Sequence, residues 1–325
     1  MLLESQTGQP TVSVVIPTHN RPALLNEALL SVLNQTAPPA EIIVVDDASQ
    51  PPAQISTSRP GVTIRHIRHS EKRGGAAAKN TGALAAHGDL IAFLDDDDLF
   101  APSYLAHAAQ CFTNHPSIDV LYMAVDWFGK HAERSRKNYM TAMQRLLEEA
   151  EGRIISPDIL KFGDALIMAL LNRVPMAFQR PVVRRDAFIR IGRYTEHCLL
   201  WDCDWALRAA LAGNVALNEV PLYLQRSDAQ GYSSHPDRQI EHTLSNIEIR
   251  ERLAATLSME NAPTRKLQQA FKRSTGQNWR HLAYQQHQNG NNFIALKAWL
   301  RSVRMDRKPS LKLLLRILLN LSVRT

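Results

Sequence analysis

The sequence is short of cysteine, of long apolar runs and of the usual nucleotide and protease signatures. Three cysteines occur in 325 residues, Cys111, Cys198 and Cys203. No two have C-x-x-C spacing, so neither a disulfide framework nor a thiolate zinc site is indicated, and reduced packing cysteines are expected. The longest apolar run, Ala165 to Leu171, is seven residues, far below the ~20 that a membrane helix needs. The opening Met-Leu-Leu-Glu-Ser-Gln has neither the basic start nor the apolar centre of a secretory signal. These absences lead to the expectation of a cytoplasmic protein. Walker A, G-x-G-x-x-G, H-E-x-x-H and G-x-S-x-G are all missing, which removes the P-loop, dinucleotide, zinc-protease and nucleophile-elbow readings.

What is present is ordinary for a folded chain: 45% hydrophobic and 21% charged residues. The length suits one large α/β domain with an extension. The net charge of +7 is unevenly spread: residues 238–325 hold 16 Lys and Arg against 5 Asp and Glu, and the rest hold 22 against 26. A mildly acidic front is followed by a basic rear, which suits an anionic partner surface or solubility.

The first hundred residues alternate strand and helix signals. Val12–Ile16, Ile42–Val45, Val62–Ile67 and Leu90–Leu94 read as strands. Asn20 is placed to cap a helix with Pro22 in its first turn, and Gly74-Gly75 opens another that runs to about His87. This alternation predicts a parallel sheet covered by helices, with ligands beyond the carboxyl ends of its strands. Three strands there run into polar sets: Pro17-Thr18-His19-Asn20, Asp46-Asp47 and Asp95 to Asp98. Further on, the pattern predicts helices over 102–114, 158–171 and 204–212, and strands over 118–125 and 215–224. Residues 126–157 are weakly patterned and read as an insertion or mobile segment. From Gln239 only helical periodicity is present.

Several of these residues bear chemistry. Four adjacent carboxylates repel one another and need solvent or a cation to stay ionised; at the end of a buried strand they suit Mg²⁺ or Mn²⁺ shared with a diphosphate. Asp46-Asp47 suits either an Asx turn or a hydrogen bond to a base or ribose. Gly74 and Gly75 permit close backbone approach, and Lys79 offers a point charge to a phosphate. Asp202 and Asp204 lie among Trp201, Trp205 and leucines, where one suits a helix cap and the other a general base.

Together the segments Val12-Ser13-Val14-Val15-Ile16-Pro17-Thr18-His19-Asn20-Arg21, Ile42 to Ser49, Gly74 to Gly82, Phe93 to Asp98, and Gly192 to Glu196 followed by Asp202 to Arg208 resemble the family 2 glycosyltransferases, over roughly residues 10–235. The resemblance implies the GT-A fold, a Rossmann-like mixed, mostly parallel sheet flanked by helices. It implies a catalytic domain over 1–237, with 238–325 left as a basic helical extension. It also implies roles. Asp47 would bond the nucleotide base with Pro17 near it, and Lys79, where the family often has Arg, would hold the nucleotide. Asp95 and Asp96 would lie near ribose or sugar, Asp97 of the Asp-x-Asp motif would ligate Mn²⁺ or Mg²⁺, and Asp202 would be the base. The reaction would invert the sugar of a nucleotide-diphospho-sugar, most simply a UDP-sugar, onto a glycan or lipid-linked hydroxyl in bacterial envelope polysaccharide or lipopolysaccharide assembly, at the inner face of the membrane. Trp201 stands where the family has Glu, which keeps Asp204 as a second base candidate. The stretch Leu224 to Asp228 lacks the family's late histidine, for which His235 is the nearest substitute.

Two other classes fit the pattern less well. A sugar nucleotidyltransferase would need a glycine-rich basic loop near the N-terminus, and Thr18-His19-Asn20-Arg21 supplies none. An inactive nucleotide- or glycan-binding relative has Trp201 in its favour. In the tail, Lys308, Lys312 and Arg316 fall four apart, with Leu311, Leu314, Leu315 and Leu318 on the other side. Such an amphipathic helix packs against protein or lies on an anionic bilayer. No nucleic-acid motif is visible.

Overall fold

In the computed structural model, residues 8–228, 236–260, 263–306 and 310–322 are described. His235 and Lys308 lie outside them. The chain divides into two compact units, Met1–His197 with Trp201–Ala229, and Cys198–Leu200 with Gln230–Thr325.

Runs of valine and isoleucine make the central strands of the first unit, because β-branched side chains fit a sheet covered on both faces. Its strands are β1 (Val12–Thr18), β2 (Glu41–Asp46), β3 (Thr63–Arg68), β4 (Leu90–Phe93), β5 (Leu99–Phe100), β6 (Val120–Phe128), β7 (Arg153–Ser156), β8 (Ile159–Lys161), β9 (Pro181–Arg184) and β10 (Val215–Arg226). They form one sheet in the order β3-β2-β1-β4-β9-β6-β10-β8-β7, with β5 paired to β10. The β3-β2-β1-β4 half is parallel, as predicted. β9 then enters antiparallel between β4 and β6, so the sheet is mixed. β1, β2 and β4 are almost wholly buried. The helix Gly75–Ala85 lies directly on β1: a Cβ on Gly82 would meet Val15 Cγ1 at 2.3 Å.

Four sequence readings need correction. The weakly patterned 126–157 segment is not mobile or inserted. It ends β6, forms the 19-residue helix Ala132–Ala150 and supplies the whole of β7. Its apolar contacts, Ala142, Met143, Leu146 and Ala150, sit at helical spacing but are diluted by charge. Residues 158–171 split into β8 and the helix Ala165–Asn172, because Ile159 and Leu160 pair with β10. Asn20 does not cap its helix. It takes a positive φ of 55°, its side-chain Oδ1 accepts from the Gln50 amide at 2.7 Å, and Arg21 holds the cap position. The helix expected to begin at Asp204 begins at Trp201.

The second unit contains the helices Gln239–Glu260, Arg265–Gln288, Asn292–Asp306 and Leu311–Ser322. Thr264 caps the second by accepting from the Leu267 amide at 3.3 Å. Trp279, Leu282, Ala283, Ala295, Ala298, Trp299, Leu313 and Ile317 join in its core. The tail's faces therefore differ from the expected ones. Leu313 and Ile317 are the buried positions, whereas Leu311, Leu315 and Leu318 are 63%, 61% and 44% exposed. Among the described residues no helix is long and apolar enough to cross a membrane.

Candidate active site

Parallel strands deliver their carboxyl ends to one edge of the sheet, and there the polar sets meet. Pro17 lies half-buried near the end of β1, in register with Val45 of β2. Asp46, which ends β2, is buried and accepts from the Ser49 and Ala53 amides at 2.7 and 3.0 Å.

Asp47 organises the loop before the helix Gly75–Ala85. Its Oδ1 accepts from the Arg73 amide at 2.8 Å and lies 2.8 Å from His69 Nδ1. Its Oδ2 accepts from the Gly74 amide at 2.7 Å. Burial pushes the Asp47 carboxyl up, but these donors outweigh it and leave it below its ordinary value. Gly74 presents its amide from a φ of 92°, a backbone that side-chain-bearing residues rarely adopt.

The four aspartates after β4 have four different environments. Asp95 is clamped by two cations, Lys79 Nζ at 2.6 Å and Arg180 Nη2 at 2.5 Å. Burial raises the Asp95 carboxyl, yet Arg180 and Lys79 outweigh it and hold it well below the usual range. Asp96 accepts from Thr18 Oγ1 at 2.8 Å and from Arg21 at 3.1 Å. Asp97 accepts from the same Arg21 nitrogen at 2.9 Å. Asp98 is buried and accepts from Tyr223 Oη at 2.8 Å and the Arg226 amide at 2.9 Å. Burial, helped by neighbouring carboxylates, pushes Asp96 up to about 6 and Asp98 up to about 7. Carboxylate oxygens of Asp95, Asp97 and Asp98 lie within 4.8 Å of one another. An all-oxygen set of that span suits a hard divalent cation.

Lys79 is fully buried, and its ammonium lies 4.7 Å from the centre of the Trp201 ring. Burial lowers its affinity for the proton, and the Asp95 charge offsets part of that. Trp201 thus covers the buried cation while Tyr194 meets it edge-on, with ring centres 4.9 Å apart.

Asp202 lies in the first turn of its helix, with Oδ2 3.5 Å from Arg180 Nη1. Asp204 is fully buried, accepting from Thr195 Oγ1 at 2.7 Å and from Arg208 Nε at 3.1 Å. That makes it a structural carboxylate and removes it as a second base candidate.

The structure brings Lys79, Asp95 and Asp202 together through Arg180, which sequence reasoning missed. Arg180 carries no motif and precedes a four-residue strand. Arg21, Asp98, Tyr223 and Arg226 were also missed as site residues. Asp98 was visible as the end of the acidic run, and Arg21 as the end of the first matched segment.

Comparison with known proteins accords with this geometry. The model of glycosyl transferase family 2 matches residues 13–169. An uncharacterized glycosyltransferase of Haemophilus influenzae is 33% identical over 111 residues, covering 34% of this chain and 37% of that protein. The O-antigen biosynthesis protein RfbC of Myxococcus xanthus is 33% identical over 193 residues, covering 58% of this chain and 13% of that protein. The chain thus spans little more than a third of the first of these relatives and far less of the second. Among solved structures, S. aureus TarS 1-349 in complex with UDP-GlcNAc superposes with a TM-score of 0.54 at 15% identity, over 91% of this chain and 89% of that one. The mannosyltransferase PcManGT of Pyrobaculum calidifontis, in complex with GDP-Man and Mn²⁺, superposes at 0.53 with 17% identity, over 98% and 81%. These likenesses establish the fold, that of the GT-A glycosyltransferases. The matched segment 13–169 thus carries the features of glycosyl transferase family 2, within a mixed sheet whose β4 runs into the acidic cluster.

Proposed function

We propose that the protein is an inverting glycosyltransferase that moves a sugar from a nucleotide-diphospho-sugar, a UDP-sugar first, to a hydroxyl of a glycan or lipid-linked acceptor. The context proposed is bacterial envelope polysaccharide or lipopolysaccharide assembly, at the cytoplasmic face of the membrane. The observation that carries the reading is Arg180, whose guanidinium reaches both Asp95 of the acidic cluster and Asp202. The UDP-GlcNAc and GDP-Man held by the two solved structures, and the O-antigen role in the RfbC name, are consistent with it.

In this reading residues 1–237 form the catalytic domain. Asp97, with Asp95 and Asp98, holds Mn²⁺ or Mg²⁺, which supplies the positive charge that makes a nucleoside diphosphate a good leaving group. Pro17, Asp47, Lys79, Asp95 and Asp96 form the donor side. Asp47 has about four acceptor positions, and the contacts above leave Oδ2 one for a base. Asp202 takes the proton of the acceptor hydroxyl, and a single displacement with one base gives inversion. Arg180 is a positioning residue that fixes Asp202 against Asp95. The basic extension, 238–325, makes peripheral contact with an anionic membrane.

The test is nucleoside-diphosphate release from a panel of UDP-, GDP- and dTDP-sugars, with Mn²⁺ or with EDTA. Slow metal-dependent release from one donor is expected, lost in both Asp97→Ala and Asp202→Ala. Metal-dependent binding without turnover, with acceptor extracts present, would favour an inactive relative carrying Trp201 in place of Glu. Absence of binding to every nucleotide would sink the reading.

A further inference from the structure

The second unit has a cavity of about 450 Å³ between its helices Arg265–Gln288 and Leu311–Ser322. Its lining includes Arg280, His281, Tyr284, Ser310, Lys312 and Arg316, and no carboxylate. Three of these are permanent cations at neutral pH. Arg280 donates to Asp306 at 2.6 Å, and its Nε is buried with no hydrogen-bond partner among the described residues. Lys312 and Arg316 are exposed, and no carboxylate pairs with either among the described residues. Cations gathered round a cavity with hydroxyl and imidazole donors are the chemistry of a phosphate site.

The surroundings narrow the source of that phosphate. Lys312 and Arg316 share a helix with Leu311, Leu315 and Leu318, and 3.6-residue periodicity sets these exposed leucines in one stripe beside the two cations. The neighbouring helix Asn292–Asp306 exposes Phe293, Ile294 and Leu300 with Lys297, Arg301 and Arg304. On each of these two helices exposed apolar side chains lie among cations, and the one carboxylate, Asp306, is engaged by Arg280; that pattern complements an anionic bilayer rather than an acidic soluble ligand.

We infer that this cavity binds the headgroup phosphate of an anionic phospholipid while Leu311, Leu315 and Leu318 enter the acyl boundary. The inference rests on the reading that the extension meets a membrane, and it assigns that contact to one site. The test is co-sedimentation of the full chain with vesicles of phosphatidylglycerol in phosphatidylcholine, beside phosphatidylcholine alone and beside calorimetric titration with inorganic pyrophosphate.

Binding to the anionic vesicles only is expected. Lys312→Gln with Arg316→Gln should weaken it about 30-fold, and Leu315→Gln with Leu318→Gln should weaken it while leaving any pyrophosphate binding unchanged. Both pairs lie on exposed positions, and unchanged nucleoside-diphosphate release and circular dichroism would report intact folding. Anionic-vesicle binding indifferent to both pairs would overturn the site while leaving the membrane reading standing. Pyrophosphate binding without vesicle binding would overturn the lipid assignment in favour of a soluble phosphate. Concentration-dependent dimerisation abolished by the leucine pair would assign the face to a second copy and overturn it too.

Discussion

At the residue scale the site is a chain of opposite charges: Lys79 and Arg180 share Asp95, and Arg180 continues to Asp202. Removing one member leaves buried charge without its partner, which typically costs about 3–5 kcal/mol. Arg180→Gln is therefore expected to lower the urea midpoint sharply. Arg180→Lys keeps the charge but lacks the planar fork that spans two carboxylates. It should fold, with kcat down about 100-fold and KM little changed; an unchanged kcat would remove Arg180 from its positioning role. Asp47 carries a pH prediction. Its carboxyl lies below its ordinary value in the folded protein. It therefore contributes stability above its unfolded value, and that contribution is lost as pH falls through the lower folded one. Urea midpoints measured from pH 6 down to pH 3 should fall more steeply for the wild type than for Asp47→Asn. The variant should be about 2 kcal/mol less stable at pH 7, since an amide cannot accept at both positions.

At the element scale, the contact of the helix Gly75–Ala85 with β1 fixes where Lys79 sits. Alanine is ordinarily better than glycine in a helix by about 1 kcal/mol. At Gly82 the order should reverse, because the added Cβ meets Val15 at 2.3 Å. Gly82→Ala is expected to lose about 1–3 kcal/mol by denaturant melts, and a gain would refute the packing described. The parallel strands and the acidic run ending β4 were legible because each is local: a short apolar run followed by polar residues. The helix Ala132–Ala150 was not, since its few buried residues are spaced among charges that mask the period. Arg180 was not legible either. It is 85 positions from Asp95 and 22 from Asp202 in sequence, and only the placement of β9 between β4 and β6 unites them. Trp201 could be seen as a departure from the Glu of the family, but its cover over Lys79 needed the fold.

At the scale of the whole molecule, the sheet closes late along the chain. The family match ends at residue 169, before β9 and β10. A fragment ending at residue 172 keeps that match but leaves β4 without a partner on one edge and β6 without either of its neighbours, β9 and β10. It is expected to aggregate or lack near-ultraviolet dichroism, whereas residues 1–228 should be monomeric by size exclusion. A monodisperse short fragment would contradict the role given to β9. The same feature bears on synthesis. β9 leaves the ribosome roughly ninety residues after β4, which at 5–20 residues per second is about 5–18 s. Through that interval the nascent chain displays an open strand edge that its own later sequence is destined to cover, so a chaperone that masks strand edges should raise the yield of folded protein more than one that acts after release.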